Sequence, residues 1–217
     1  MQNYRTGVAE MEFDSEGSAS VFHGRAGVKR AVRTFVCVCM GEDGMNEIAG
    51  FIGELKKFTG FKWAARDTLH ITLKFLGEIE PERVTRLDTN LSRIGGIRPF
   101  KVTLSGVGAF PNLSSPRVLW VGVAEGSEET SKLAASVDKA AVASGFEEER
   151  RAFHPHLTLA RARTDSRARG LVRMPDELAE KLKSCPLPSW TCDGFMLMRS
   201  ELSSSGPTYT PIAKFYF

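Results

Sequence analysis

One short pattern occurs twice in this chain: Leu69-His70-Ile71-Thr72-Leu73-Lys74 and Pro155-His156-Leu157-Thr158-Leu159-Ala160, with the two histidines 86 residues apart. Each copy alternates a polar and an apolar residue, as a half-buried strand does. In a strand, residues i and i+2 share a face about 6.6 Å apart. His70 and Thr72 therefore point one way, as do His156 and Thr158, while Ile71, Leu73, Leu157 and Leu159 turn to a buried side. Two copies at so long a separation describe a duplicated half rather than a solenoid. The fold must then contain two similar lobes, and if their polar faces oppose, two imidazoles bracket one space.

The rest of the chain supplies material for such lobes. Val32–Cys39 is a β-branched run that suits a central strand, and Asn46–Phe58 places Ile48, Phe51, Ile52 and Leu55 at helical spacing before Gly60. A short extended piece follows at Phe61–Ala64, then a strand over Leu69–Phe75 and a helix opening at Glu80-Pro81-Glu82, where proline fits the first turn. Strands are expected at Phe100–Ser105 and Val118–Ala124, a helix over Glu128–Ser144 closed by Gly145, and a strand at His156–Ala160. A short helix at Pro175–Lys183 and strands at Trp190–Arg199 and Thr208–Phe217 complete the pattern. Strict strand–helix–strand alternation is missing, which favours α+β.

Residues 1–30 are rich in glycine, serine and acids and show no period, so they read as a flexible extension ahead of one domain over 31–217. They carry Glu10, Glu12, Asp14 and Glu16 and lack the apolar centre of an export signal, and no run reaches the roughly 18 apolar residues of a membrane span. A reducing, cytoplasmic setting and a monomer are the expectation. Cys37 and Cys39 lie in an apolar run far from Cys185 and Cys192, with neither a CxxC nor a histidine cluster, and read as small buried hydrophobes.

A paired His-x-Thr suits in-line displacement at phosphorus. An attacking oxygen must lose a proton on one side while a leaving oxygen gains one opposite. Histidine, with an ordinary pKa of about 6.5, can fill either role near neutrality, and threonine hydroxyls can donate to the non-bridging oxygens. A single His-x-Thr is usually a surface or satisfied core feature; the second copy gives the pattern its weight. His154-Pro155-His156 could offer two metal ligands, but no carboxylate or thiolate stands at a useful spacing. His23, in the extension, reads as solvated.

The formal charge is only +3, from 29 basic and 26 acidic residues. Its placement says more: seven arginines lie between Arg150 and Arg173 against the single acid Asp165. They either steer a polyanion or form a solvated loop that offsets Glu147-Glu148-Glu149. Arg161 is the candidate phosphate contact, although strict alternation puts it on the face opposite Thr158 unless the strand bends. Phe35, Trp63, Phe110, Trp120 and Tyr209 could stack a nucleobase or sit in the core, with Tyr209, beside Gly206-Pro207, the least core-like.

From residue 31 to the end, the series resembles the two-histidine phosphoesterases, specifically the RNA 2',3'-cyclic phosphodiesterases of bacteria and archaea, also called 2'-5' RNA ligases. The resemblance rests on Arg33-Thr34-Phe35-Val36, Trp63, Leu69-His70-Ile71-Thr72-Leu73-Lys74-Phe75-Leu76-Gly77-Glu78 and Gly106-Val107-Gly108-Ala109-Phe110-Pro111. It continues through Pro116-Arg117-Val118-Leu119-Trp120, Pro155 to Arg161, Ser200-Glu201-Leu202 and Gly206-Pro207-Thr208-Tyr209. It implies a bilobal α+β fold, two pseudo-symmetric antiparallel sheets with outer helices, and a central cleft that needs neither metal nor cofactor. The implied reaction hydrolyses an RNA 2',3'-cyclic phosphate to a 2'-phosphate, with reversible 2'-5' joining in some members. By position, His70 is implied as proton donor, His156 as acceptor, and Thr72 and Thr158 as phosphate contacts. The residues themselves leave the two histidine roles unoriented, and Arg161 and Tyr209 are further candidate substrate contacts. The implied partner is RNA ending in a cyclic phosphate or carrying a 2'-5' linkage. A catalytically idle RNA-end binding module and an enzyme for a small cyclic nucleotide are the alternatives. The 30-residue extension and the long arginine-rich stretch depart from the pattern.

Overall fold

The computed structural model describes residues 32–163, 174–203 and 206–217. The expected extension at 1–30 and the arginines at 167, 169 and 173 lie outside the described residues. In chain order the elements are β1 (Val32–Cys39), α1 (Glu42–Leu55), β2 (Phe61–Trp63), a 3₁₀ turn (Arg66–Thr68), β3 (His70–Ile79), α2 (Pro81–Leu91), β4 (Phe100–Phe110) and β5 (Val118–Val123). They continue with α3 (Ser127–Ala143), β6 (His156–Ala162), α4 (Asp176–Leu182), β7 (Ser189–Cys192), β8 (Gly194–Leu202) and β9 (Pro207–Tyr216). None of the described helices is long and apolar enough to cross a membrane.

The strands pair in the order β7-β4-β5-β6-β3-β1-β8-β9, with β2 added to β6. Each pairing is antiparallel. The order is symmetric about its middle. β3 leads outward through β1 and β8, and β6 leads outward through β5 and β4. The halves meet where Ile71 opposes Leu157, so one sheet carries both copies of the repeated pattern. The buried side of that sheet places Ile71, Leu73, Leu157 and Leu159 in one cluster with Ile48, Ile52 and Leu55 of α1 and Leu133, Val137 and Ala141 of α3. Helices cover this side, and the histidines and threonines stand on the other.

The expected strand over 190–199 is in fact two. β7 pairs with β4 and β8 pairs with β1, although only Asp193 separates them. They lie near opposite ends of the strand order, so a link this short requires the sheet to curl until its ends approach. The closure is visible where the Phe217 amide donates to the Asp193 carbonyl at 3.0 Å and the Phe100 and Phe217 rings stack with centroids 6.0 Å apart. Gly194 permits the crossing, since a Cβ there would fall 2.1 Å from the Phe215 carbonyl oxygen. A continuous apolar run hides this break from any periodicity test.

α1 starts four residues before the expected Asn46. Its first turn is polar, with Glu42 and Asp43 where a helix N-terminus favours acids, and its apolar stripe begins only at Ile48. β3 runs on to Ile79 past Gly77, whose φ of 74° suits glycine.

Lys74 is the one charged residue among the described residues that is buried. It is 8% exposed. Its ammonium pairs with the Asp138 carboxylate of α3 and donates to the Glu147 carbonyl at 2.9 Å, and Asp138 also accepts the Glu149 amide at 3.2 Å. The pair clasps the irregular segment that leads into β6 against the strand that carries His70. Removing one partner of a buried pair leaves the other uncompensated. Asp138→Ala is expected to cost about 3–5 kcal/mol in urea unfolding, and adding Lys74→Met should restore part of that. A cost below about 1 kcal/mol for Asp138→Ala would show that the clasp does not hold this segment.

Candidate active site

The first six residues of β3 and of β6 have the same burial order: partly exposed, buried, partly exposed, buried, buried, exposed. In both, the break in alternation comes from a bulge directly after the threonine. Along β1–β3 the partners step from Cys37↔Thr72 to Val36↔Lys74, which leaves Leu73 as the extra residue. Along β5–β6 they step from Trp120↔Thr158 to Leu119↔Ala160, which leaves Leu159 extra. A bulge shifts side-chain parity by one. The next outward residue is therefore the third after each threonine, Phe75 in β3 and Arg161 in β6. This answers the parity objection to Arg161, which faces the same cavity as Thr158.

Antiparallel pairing centred on Ile71 and Leu157 sets His70 toward Thr158 and Thr72 toward His156. Each imidazole is held in the same way. His70 Nδ1–H donates to the Thr68 carbonyl at 2.7 Å, and His156 Nδ1–H donates to the His154 carbonyl at 2.6 Å. A carbonyl only accepts, so in both neutral rings the proton sits on Nδ1 and Nε2 carries the lone pair. For His70, Nε2 lies 3.0 Å from Thr72 Oγ1.

The carbonyls are themselves anchored. Thr68 ends the 3₁₀ turn, and Arg66 in that turn bonds Glu42, Asn46 (2.7 Å) and Asp67 (2.9 Å), tying the turn to the start of α1. His154 ends the segment clasped by Lys74 and Asp138. Because the His156 Nδ1 proton is committed to a carbonyl, that nitrogen is not free as a ligand in a His154–His156 metal pair. Among the described residues, no group of three His, Cys, Asp or Glu side chains could hold a metal ion.

Aromatic rings pack both imidazoles. His70 lies 4.8 Å from Phe35 and 5.3 Å, edge-on, from Tyr209; His156 lies 5.1 Å, edge-on, from Phe110 and 6.0 Å from Trp120, centroid to centroid. Burial holds both imidazole pKa values below the ordinary histidine value; the carbonyl bonds oppose this, and the Arg161 charge adds to it. Burial likewise raises the Tyr209 phenol.

The cleft is a cavity of about 570 Å³ lined by His70, Thr72, Thr158, Arg161 and Tyr209. His156 is outside that lining. Of the aromatic candidates, Phe35 is buried beneath the cleft and Trp63 lines it with its indole N–H donating to the Phe58 carbonyl at 3.2 Å. Phe110 and Trp120 belong to the His156 side. The cavity also holds Phe75, which is 62% exposed, together with Arg33 and Lys62, none of which strand alternation marks as a site residue. The spacing could have found Phe75, because it stands 86 residues before Arg161, as His70 stands before His156.

The cysteines divide. Burial pushes Cys185 up to about 12 and Cys192 up to about 11, so both stay thiols and fill space. Cys37 is buried, while Cys39 is only partly so and lies opposite His70 across β1–β3.

Comparison with known proteins gives a consistent result. Residues 46–203 match the model of the 2'-5' RNA ligase superfamily. A protein of Archaeoglobus fulgidus named RNA 2',3'-cyclic phosphodiesterase is 35% identical over 185 residues, which are 85% of this chain and 99% of that one. A protein of Methanothermobacter thermautotrophicus with the same name is 34% identical over 190 residues, 85% and 98% of the two chains. Among solved structures, E. coli LigT complexed with 3'-AMP superposes with a TM-score of 0.68 at 26% identity, covering 86% of this chain and 98% of LigT. TT0787 of Thermus thermophilus superposes with a TM-score of 0.67 at 28% identity, covering 85% and 97%.

The lowered imidazole pKa values have a thermodynamic consequence. Below about pH 6.5 the unfolded chain takes up protons that the buried rings refuse, so acidification destabilises the fold until the lowered pKa values are reached; above that range the rings contribute nothing. The melting temperature is expected to fall between pH 7 and 5.5, and to fall less in His70→Gln. An equal fall in both proteins would place the His70 pKa at its ordinary value.

Proposed function

The chain belongs to the 2'-5' RNA ligase superfamily, and from that premise we propose that it opens the 2',3'-cyclic phosphate at an RNA 3' end to leave a 2'-phosphomonoester. The observation that carries this reading is the pairing of two His-x-Thr strands through Ile71 and Leu157, with all four polar side chains on one face. Relatives over 80% or more of the chain bear the name of that activity.

Neutral His156 takes a proton from water through Nε2 as the water oxygen attacks phosphorus. The bond from phosphorus to O3' breaks, and protonated His70 delivers its Nε2 proton to that oxygen. The bond to O2' survives, and water is split between phosphate and 3'-hydroxyl. Thr72 and Thr158 donate to the non-bridging oxygens, and Arg161, further along β6 on the same face, lends positive charge to the cleft. The cavity supports this assignment of roles. The leaving O3' stays with the nucleoside, and a nucleoside fits the cavity lined by His70. Attack in line comes from the opposite side, where the strand register sets His156 across from Thr72. A ribose 5'-hydroxyl in the place of water would form a 2'-5' linkage by the same steps, and the reverse would break it. The mechanism assigns no step to a metal ion.

Each general acid or base contributes roughly 10²- to 10⁴-fold. His70→Ala and His156→Ala are each expected to lose turnover of a cyclic-phosphate-ended oligonucleotide by that factor while retaining the wild-type circular dichroism spectrum, and EDTA should have no effect. Because both pKa values are lowered in the free enzyme, kcat/KM should follow a bell centred below pH 6.5, its limbs belonging to the pair. Near-normal turnover in either variant, or a 3'-phosphate product, would overturn the assignment. Binding without turnover in the wild type would select the idle end-binding module.

A further inference from the structure

The cavity is richer in positive charge than one cyclic phosphodiester requires. Its lining holds Arg33, Lys62 and Arg161 and contains neither Asp nor Glu. Lys62 of β2 lies directly opposite Arg161 of β6. Like charges opposed across two strands are destabilising, and no carboxylate among the described residues forms an ion pair with either one. Among the described residues, these two neighbouring cations therefore have no carboxylate counter-charge. The Lys62 ammonium is lodged against the β8–β9 turn, where a Cβ on Gly206 would lie 3.8 Å from Nζ. That is the end of the cavity away from His156.

The spacing fits a nucleotide. Thr158 and Arg161 are successive residues on the cleft face, roughly 7 Å apart along the strand, about the span between successive phosphates. The same cavity is lined by Phe75 and Tyr209, rings suited to the nucleoside.

We propose that Lys62, with Arg161 beside it, forms a second phosphate subsite that takes the phosphate on O5' of the nucleoside whose cyclic phosphate reacts. This rests on the cyclic phosphodiesterase reading and deepens it. The occupant has two sources with the same chemistry, the phosphodiester to a preceding nucleotide or a free 5'-phosphate on a mononucleotide. In either case an end that carries two phosphates, rather than one, is the preferred ligand.

Binding tests this without relying on turnover. By calorimetry, adenosine 2',5'-bisphosphate is expected to bind about ten-fold more tightly than adenosine 2'-phosphate. Lys62→Ala should abolish that ratio, and Lys62→Glu should invert it. The salt dependence of the bisphosphate should exceed that of the monophosphate by about one phosphate contact in wild type and lose the excess in Lys62→Ala. In turnover, a 5'-phosphorylated cyclic mononucleotide and a dinucleotide ending in a cyclic phosphate should share one advantage in kcat/KM over the unphosphorylated cyclic mononucleotide. Equal affinities for the two adenosine phosphates, a ratio that survives Lys62→Glu, or an advantage confined to the dinucleotide would overturn the subsite. A protein with the predicted binding ratio that opens none of the cyclic phosphates would retain the subsite and lose the catalytic reading.

Discussion

The contact between Ile71 and Leu157 at the centre of the sheet is the constraint on which the site depends. Both side chains are essentially fully buried, at 1% and 0% exposure, and burial of such a residue contributes roughly 1.5–3 kcal/mol. Because strand side chains alternate, the register that buries them must turn His70, Thr72, His156 and Thr158 to the opposite face. A slip of one residue would bury the polar set and expose the apolar one. Packing on one face thus fixes chemistry on the other.

Around this seam the two halves repeat the same devices. Each imidazole is steered by a carbonyl two residues earlier, each strand bulges after its threonine, and each ring packs two aromatics. They differ at the residue that the bulge turns outward, a phenyl ring in β3 and a guanidinium in β6. That difference gives the cleft a direction and makes two otherwise equivalent histidines unequal. The supports differ as well. The Thr68 carbonyl is tied to α1 through Arg66, and the segment ending at His154 is tied to β3 through Lys74 and Asp138.

Much of this was legible in the residues. The His-x-Thr repeat located the four polar side chains, and β1, β5, β6 and α3 fall within two residues of the bounds their patterns suggested. What escaped was what alternation and propensity do not encode. The bulges at Leu73 and Leu159 arise from how β1 and β5 pair with their neighbours, so Arg161 looked misdirected and Phe75 did not read as a cleft residue. The break between β7 and β8 is a change of sheet edge within an apolar run, marked only by Gly194. Lys62 escaped because its importance comes from the residue across the strand, which no local window contains.

The proposed chemistry requires one phosphorus between two imidazoles acting from opposite sides. A crystal structure with a uridine–vanadate complex, whose five-coordinate vanadium mimics phosphorus during displacement, tests it most directly. The expected result is His70 Nε2 and His156 Nε2 each about 3 Å from a different apical oxygen, with His70 on the O3' side. Both rings on one apical oxygen, or either ring turned away from the vanadium, would contradict it.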